Sequence, residues 1–272
     1  MGRLYRKQAD LLKPDQATAY SVQVEGGVRM GRHRVPVQFS SSHWQWGHLI
    51  DPAYVSGSTV TIPGSQFHDD KRVKDVCRAV WQGGQITDTQ WRHATRRGGI
   101  VVILESPHKD EYTKDDAFEP LIPLNGTRSV QRFFLYLGGI LSAVARQGVA
   151  VPDADVILCN PVQWQTSLHR LTQTHFLISE IRDEVWSRIY AIGAVQAFFE
   201  ARLKSYQPRL VINACTGSLD HPGPKQAVQQ TLVRMWERGE LETALAATHH
   251  PSVWMERTAA HTVVLRPARD TQ

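Results

Sequence analysis

The sequence predicts an α/β fold: a three-layer α/β/α sandwich around a four-stranded parallel sheet, with an N-terminal elaboration. Two observations carry this. Four short runs, Ile100–Leu104, Asp155–Cys159, Leu210–Ala214 and Leu245–Thr248, are almost continuously apolar, as strands buried on both faces are. The stretches between them carry apolar residues at helical spacing, and such alternation implies parallel strands joined by right-handed crossovers with helices on both faces.

The first 98 residues are read as a basic elaboration, and 99–272 as the α/β core. In the elaboration, Tyr20–Val24 and Val35–Phe39 alternate in part, and Val55–Ile62 runs into the turn pair Pro63-Gly64, so short strands are expected. Arg29, Arg32, Arg34, Lys71, Arg72, Lys74 and Arg78 cluster there, followed by Arg92, Arg96 and Arg97, with Trp44, Trp46, Trp81 and Trp91 interleaved. Basic groups can follow phosphates while aromatic faces stack on unpaired bases. The same pattern also suits a solvated surface over a tryptophan-containing core.

From Gly98-Gly99 the chain becomes regular. The first strand breaks into Glu105-Ser106-Pro107-His108. A helix is expected from about Ser129, with Val130, Phe133, Phe134, Leu137, Leu141 and Val144 on one face and Gly148 at its end. The strand Asp155–Cys159 stops at Asn160-Pro161. A long helix is expected over about Ile178–Tyr206, where Pro208 ends it, with Ile181, Val185, Ile189, Ile192, Phe199 and Leu203 on one side. The strand Leu210–Ala214 runs into Thr216-Gly217-Ser218. Pro224 suits the first position of a third helix, whose apolar face holds Val228, Leu232 and Trp236. The last strand runs into His249-His250-Pro251-Ser252.

Bulk properties narrow the function. The chain has 272 residues, net charge +5 and pI about 9.2, with 42% hydrophobic and 21% charged residues. That suits a globular protein with a sizeable core and permits a polyanionic partner. No apolar run approaches a membrane span and no secretory signal is visible, so no membrane partner is expected. Three distant cysteines, Cys77, Cys159 and Cys215, argue against a disulfide framework or a four-cysteine cluster, and a cytoplasmic setting fits. HExxH, paired CxxC, GxGxxG, GxxxxGK[ST] and GxSxG are all lacking, so no metal and no nucleotide cofactor is expected.

In a parallel sheet the carboxyl ends of the strands share one edge, where ligands bind. The four exit loops therefore converge, and polar groups meeting from distant positions make a site candidate. Glu105 can act as a general base or steady a developing cation, or serve only as a cap or ion-pair partner. His108, His249 and His250 can hydrogen-bond a developing anion, or be structural. Asn160 carries both a donor and an acceptor, so it can read an amide-like edge such as that of a pyrimidine, or simply form a turn. Phe118 can stack on a flat ring or plug its loop.

Taken in order, the motifs Leu104-Glu105-Ser106-Pro107-His108, Asn160 after VILC, and His250-Pro251-Ser252 resemble those of the uracil-DNA glycosylase superfamily. Phe118, about a dozen residues past the first motif, is similar to that family's stacking aromatic. Pro123–Ser129, PLNGTRS, resembles the loop before its second helix. The resemblance covers about residues 99–265 and implies hydrolysis of an N-glycosidic bond in DNA after the nucleotide leaves the stack. It implies Glu105 and His250 as catalytic residues. Ser106, Pro107, His108, Phe118, Asn125 and Asn160 would bind the extruded base, and Arg128, Ser218, Ser252, Trp254 and Met255 would contact DNA. Trp254 would be the apolar wedge inserted into the duplex. The sequence departs from the family at Leu104, usually Gly, and at Ser106, an Asp in the best-known branch. The carboxylate sits one residue earlier, as in the iron–sulfur branches, without their cysteines. His108 stands where a Tyr often excludes bulky bases. These departures favour a base other than plain uracil, either a deaminated base in repair or, preferred for so divergent a pocket, a bulky modified pyrimidine of phage DNA in defence. Two rival readings are a DNA-binding protein that keeps the fold without catalysis and a small-molecule nucleoside or sugar hydrolase.

Overall fold

The computed structural model describes residues 23–30, 33–38, 70, 72–94, 97–114, 119–125, 128–166, 182–183, 186–187, 189–191 and 193–268. The chain forms two units. One comprises Met1–Val73, Ser106–Pro120 and Val162–Gln196, and the other Lys74–Glu105, Leu121–Pro161 and Ala197–Gln272.

In the first unit, β1 (Gln23–Met30) and β2 (His33–Gln38) pair antiparallel, with a register shift between Val24 and Gly27. A short 3₁₀ turn, Lys109–Glu111, follows the Pro107 corner, and Tyr112 bridges to Pro120. The expected strand over Val55–Ile62 and the residues Trp44, Trp46 and Phe118 lie outside the described residues.

The second unit is α/β, built on a mixed sheet. Its strands are β3 (Val76–Gln82), β4 (Gln85–His93), β5 (Ile100–Ile103), β6 (Ala154–Cys159), β7 (Leu210–Asn213), β8 (Ala244–Ala247) and β9 (Val263–Arg266). The order across the sheet is β4-β3-β6-β5-β7-β8-β9. The four strands expected from the apolar runs are present, and β6, β5, β7 and β8 are mutually parallel. The sheet is nonetheless seven-stranded rather than four-stranded. β3 and β4 add an antiparallel hairpin at one edge, and β9 pairs antiparallel with β8 at the other. The sheet therefore begins before residue 98, inside the stretch read as a separate elaboration. Gly83 and Gly84 make the hairpin turn with φ of 57° and 80°, the left-handed pair that a two-residue connection requires.

Among the described residues, three helices lie wholly or mostly in this unit. α1 (Arg128–Arg146) and α3 (Pro224–Glu237) begin close to where the sequence places them, the latter with proline in its first turn. α2 (Gly193–Tyr206) is the second half of the expected 178–206 helix. Phe133, Leu137, Ile140, Leu141 and Val144 of α1 form one core with Ile100 and Val102 of β5 and Leu210 and Ile212 of β7. Val101, Ile103 and Val211 alternate with these and point away from that core, yet all three have no exposed surface. Both faces of the central strands are thus covered, which is why those runs read as continuously apolar. Gly99, just before β5, is demanded by crowding: a Cβ there would lie 3.0 Å from the Asp155 carbonyl oxygen and 3.1 Å from Ile157.

Ile103 stands at the centre of the sheet with neighbours on both sides. Ile103→Ala is expected to cost about 2–5 kcal/mol, the range for a buried aliphatic truncated to a cavity. Urea unfolding should show a lower midpoint with an unchanged slope.

Candidate functional site

The parallel ladder runs one step past the strands. Leu104 N donates to Cys159 O at 2.9 Å, Ala214 N to Ile103 O at 2.8 Å and Thr248 N to Asn213 O at 3.0 Å. These bonds bring four exits to one edge: Glu105 after β5, Asn160 after β6, Cys215-Thr216 after β7 and His249-His250 after β8.

Glu105 is 5% exposed. Its carboxylate faces the β7 exit, accepting from Thr216 N at 3.2 Å and from the Thr216 hydroxyl. The neighbouring Cys215 thiol donates to Leu104 O at 2.7 Å, and its pKa is pushed up, first by burial and then by the negative Glu105. Asn213 stiffens the same exit. Its Oδ1 accepts from Cys215 N at 3.2 Å, while its Nδ2 donates to Lys225 O at 2.9 Å and to Gln229 Oε1 at 3.2 Å. Lys225 buries its ammonium beneath this edge and donates to Thr248 O. Burial lowers its pKa, opposed by Cys215 and Glu105.

Asn160 is fully buried, and neither its side-chain Oδ1 nor its Nδ2 has a hydrogen-bond partner. Its backbone is held firmly. Asn160 N donates to Asp75 Oδ1 at 3.3 Å, and Asn160 O accepts from Arg202 Nη2 at 2.7 Å. Arg202 and Tyr206 both donate to Asp75 Oδ2, the tyrosine at 2.8 Å. Burial works against the Arg202 charge, yet Asp75 outweighs it and the pKa is raised.

His250 caps the 3₁₀ turn Pro251–Val253. Its Nδ1 accepts from Ser252 N at 3.2 Å and lies 2.9 Å from Ser252 Oγ. A ring nitrogen that accepts a backbone N–H leaves the neutral imidazole's proton on the other, Nε2. Arg132 of α1 donates to Ser252 O. Trp254 is corrected from its expected role as a wedge. It is 1% exposed, stacks on Phe133 at 5.9 Å between ring centroids, and donates from Nε1 to His249 O at 2.6 Å. A side chain buried against the core anchors the loop and leaves nothing to insert. Its neighbours Val253 and Met255 are exposed apolar residues, at 49% and 51%.

The first motif divides between the units after Glu105. In the first unit Ser106 Oγ lies 2.7 Å from Thr166 Oγ1, Pro107 is buried, and the exposed His108 accepts from Asp110 N through Nδ1 at 3.2 Å. Asn125 donates its N–H to Ile122 O at 3.1 Å in the turn before α1. Arg128 is the first residue of α1, its side chain outside the described residues. Ser218 Oγ accepts from Asp220 N at 3.1 Å and thereby shapes its own turn. The second unit thus gathers Glu105, Asn160 and His250 at one sheet edge.

Thr216, Lys225, Asp75, Arg202 and Tyr206 were not singled out from the sequence. Two of them left a signal. Arg202 falls with Phe199, Leu203 and Tyr206 on the apolar stripe of α2, where a charge implies a buried partner. Lys225 occupies the first turn of α3, where the helix dipole disfavours a cation. Asp75 left none, because only the fold brings it beneath β6. Among the described residues, no group of three or more His, Cys, Asp or Glu side chains is arranged to hold a metal ion, and no helix is long and apolar enough to cross a membrane. Comparison with protein-family models, curated proteins and solved structures finds no match to this chain.

The pKa of His249 is lowered, first by burial and then by the nearby Lys225 and His261. The folded protein therefore takes up this proton less readily than the unfolded chain, whose histidines titrate near about 6.5. Its contribution to stability is complete above that value and is lost as the pH falls through it. Thermal midpoints measured from about pH 8 down to about pH 5 should decline, and His249→Gln should flatten that decline.

Proposed function

We propose that this protein is a DNA glycosylase with the three-layer core of the uracil-DNA glycosylase superfamily, acting on a damaged or modified pyrimidine. The observation that carries the reading is the Asn160 side chain, a buried amide with both donor and acceptor unpartnered at a strand exit. A buried polar group without a partner costs about 1–3 kcal/mol, so such an amide is accounted for by a ligand that completes its bonds. The complementary ligand offers an acceptor beside a donor, as the Watson–Crick edge of a pyrimidine does.

The neighbouring groups suit the reaction. Breaking the glycosidic bond leaves positive charge on the sugar and negative charge on the departing base. Glu105 answers the first or orients water, and Nε2–H of a neutral His250 answers the second. Val253 and Met255 offer apolar surface beside His250 for a groove or a vacated stack. Positive net charge supports a phosphate-following surface. A modified base of phage DNA, and hence a role in defence, fits the departures at Ser106 and His108.

One observation favours a second reading, a DNA-binding protein without catalysis. Thr216 engages the Glu105 carboxylate through both its N–H and its hydroxyl, which suits a structural cap as well as a catalytic base.

Bases released from uracil-containing, mismatched and phage-modified DNA can be identified by mass spectrometry. The wild-type protein is expected to release one base class and leave abasic sites. Glu105→Gln, Asn160→Ala and His250→Ala are each expected to slow release by roughly 100-fold or more. DNA affinity should fall steeply with salt. Tight DNA binding with no abasic product on any substrate selects the second reading, and release of uracil alone removes the defence role.

A further inference from the structure

Directly behind Asn160 lies a group of buried charges that the proposed chemistry does not use. Asp75 precedes β3, the strand that extends the sheet beside β6, and Arg202 and Tyr206 project from α2. All three are at most 7% exposed. Asp75 bonds to both donors and to Asn160 N, while Arg202 reaches Asn160 O and also Pro161 O at 3.3 Å. The peptide groups on either side of the Asn160 Cα are therefore tied to opposite members of one ion pair. An isolated buried charge pair is a poor stabiliser of a fold, because desolvation offsets its attraction. Here the pair also binds both backbone polar groups of one residue, whose own side-chain amide has no hydrogen-bond partner.

We propose that Asp75, Arg202 and Tyr206 are positioning residues that hold the Asn160 backbone rigid, so that its amide stands ready for a ligand without collapsing onto a neighbouring protein group. This rests on the reading of Asn160 as the base-recognising residue. The ion pair supplies the anchor, and Tyr206 orients Asp75 so that one carboxylate oxygen serves the Asn160 N–H while the other serves Arg202 and the tyrosine. An amide whose support is loosened turns to find partners inside the protein, and the geometry for the base edge is lost. Preorganisation of this kind acts on the rate at the bound base and leaves phosphate contacts untouched.

The test uses the full chain in four variants, Tyr206→Phe, Asp75→Asn, Arg202→Lys and Asn160→Ala. Base release is measured under single turnover, DNA affinity separately, and binding of free uracil and free cytosine through the side-chain amide resonance of Asn160. Asn160→Ala is followed by ligand-observed resonances. The expected result is that Tyr206→Phe, which keeps the ring and the ion pair, lowers base release and free-base binding by roughly 10- to 100-fold, with DNA affinity and its salt dependence unchanged. Arg202→Lys, which keeps the charge but loses the fork, should not rescue. Should Asp75→Asn fail to fold, Tyr206→Phe decides. If Asn160→Ala abolishes base binding while folded Tyr206→Phe and Arg202→Lys bind as wild type, the positioning role is overturned. If Asn160→Ala binds and releases bases as wild type, the reading of Asn160 falls and the positioning role with it. If free-base binding depends on all four positions but no DNA releases a base, the positioning role stands and the glycosylase reading fails.

Discussion

The parallel hydrogen-bond ladder around β5 is the constraint on which the site depends. β5 pairs with β6 on one side and β7 on the other, and β7 carries β8. Each bond fixes register, and a register error of one residue would turn every side chain to the opposite face. Because both faces are buried, that error is expensive and the alignment is unique. Glu105, Asn160, Thr216 and His250 are far apart in the chain, yet they inherit their common edge from this alignment alone.

Polar groups at that edge are treated in two ways. Glu105, Asn213, Cys215 and Lys225 are bound to one another's exits through side chain–backbone bonds, so three strand ends act as one rigid piece. Asn160 is the exception, with its backbone tied on both sides and its amide left unsatisfied. Strain or unmet bonding of this kind persists only where the surroundings over-determine it, and it concentrates at functional sites. The Glu105 carboxylate holds Thr216 through both its N–H and its hydroxyl, whereas the Asn160 side-chain amide has no partner, so under the proposed function base recognition has the firmer physical basis.

The core strands and the starts of α1 and α3 were legible because burial on both faces and helical spacing are written in local composition. The hairpin of β3 and β4 is marked only by Gly83-Gly84 at its turn, because strands at and next to a sheet edge mix Arg, Gln and Asp with apolar residues and carry no continuous apolar run. Trp254 shows the opposite failure. Beside an exposed Val253 and Met255 it looks like a wedge, but its ring has more to gain by stacking on Phe133 of α1, a contact between residues that no local pattern connects.

The sequence by itself determined the α/β class, the parallel direction of the four core strands and the polar residues at their ends, because these follow from periodicity and from the rule that ligands gather at strand carboxyl ends. Only the tertiary structure decided which of those residues are already bonded. It turned Glu105 toward Thr216, buried Trp254, and placed Asp75 and Arg202 behind Asn160. Hydrogen-bond satisfaction depends on distances of a few ångströms between elements far apart in the chain, and no property of a linear sequence encodes such distances directly.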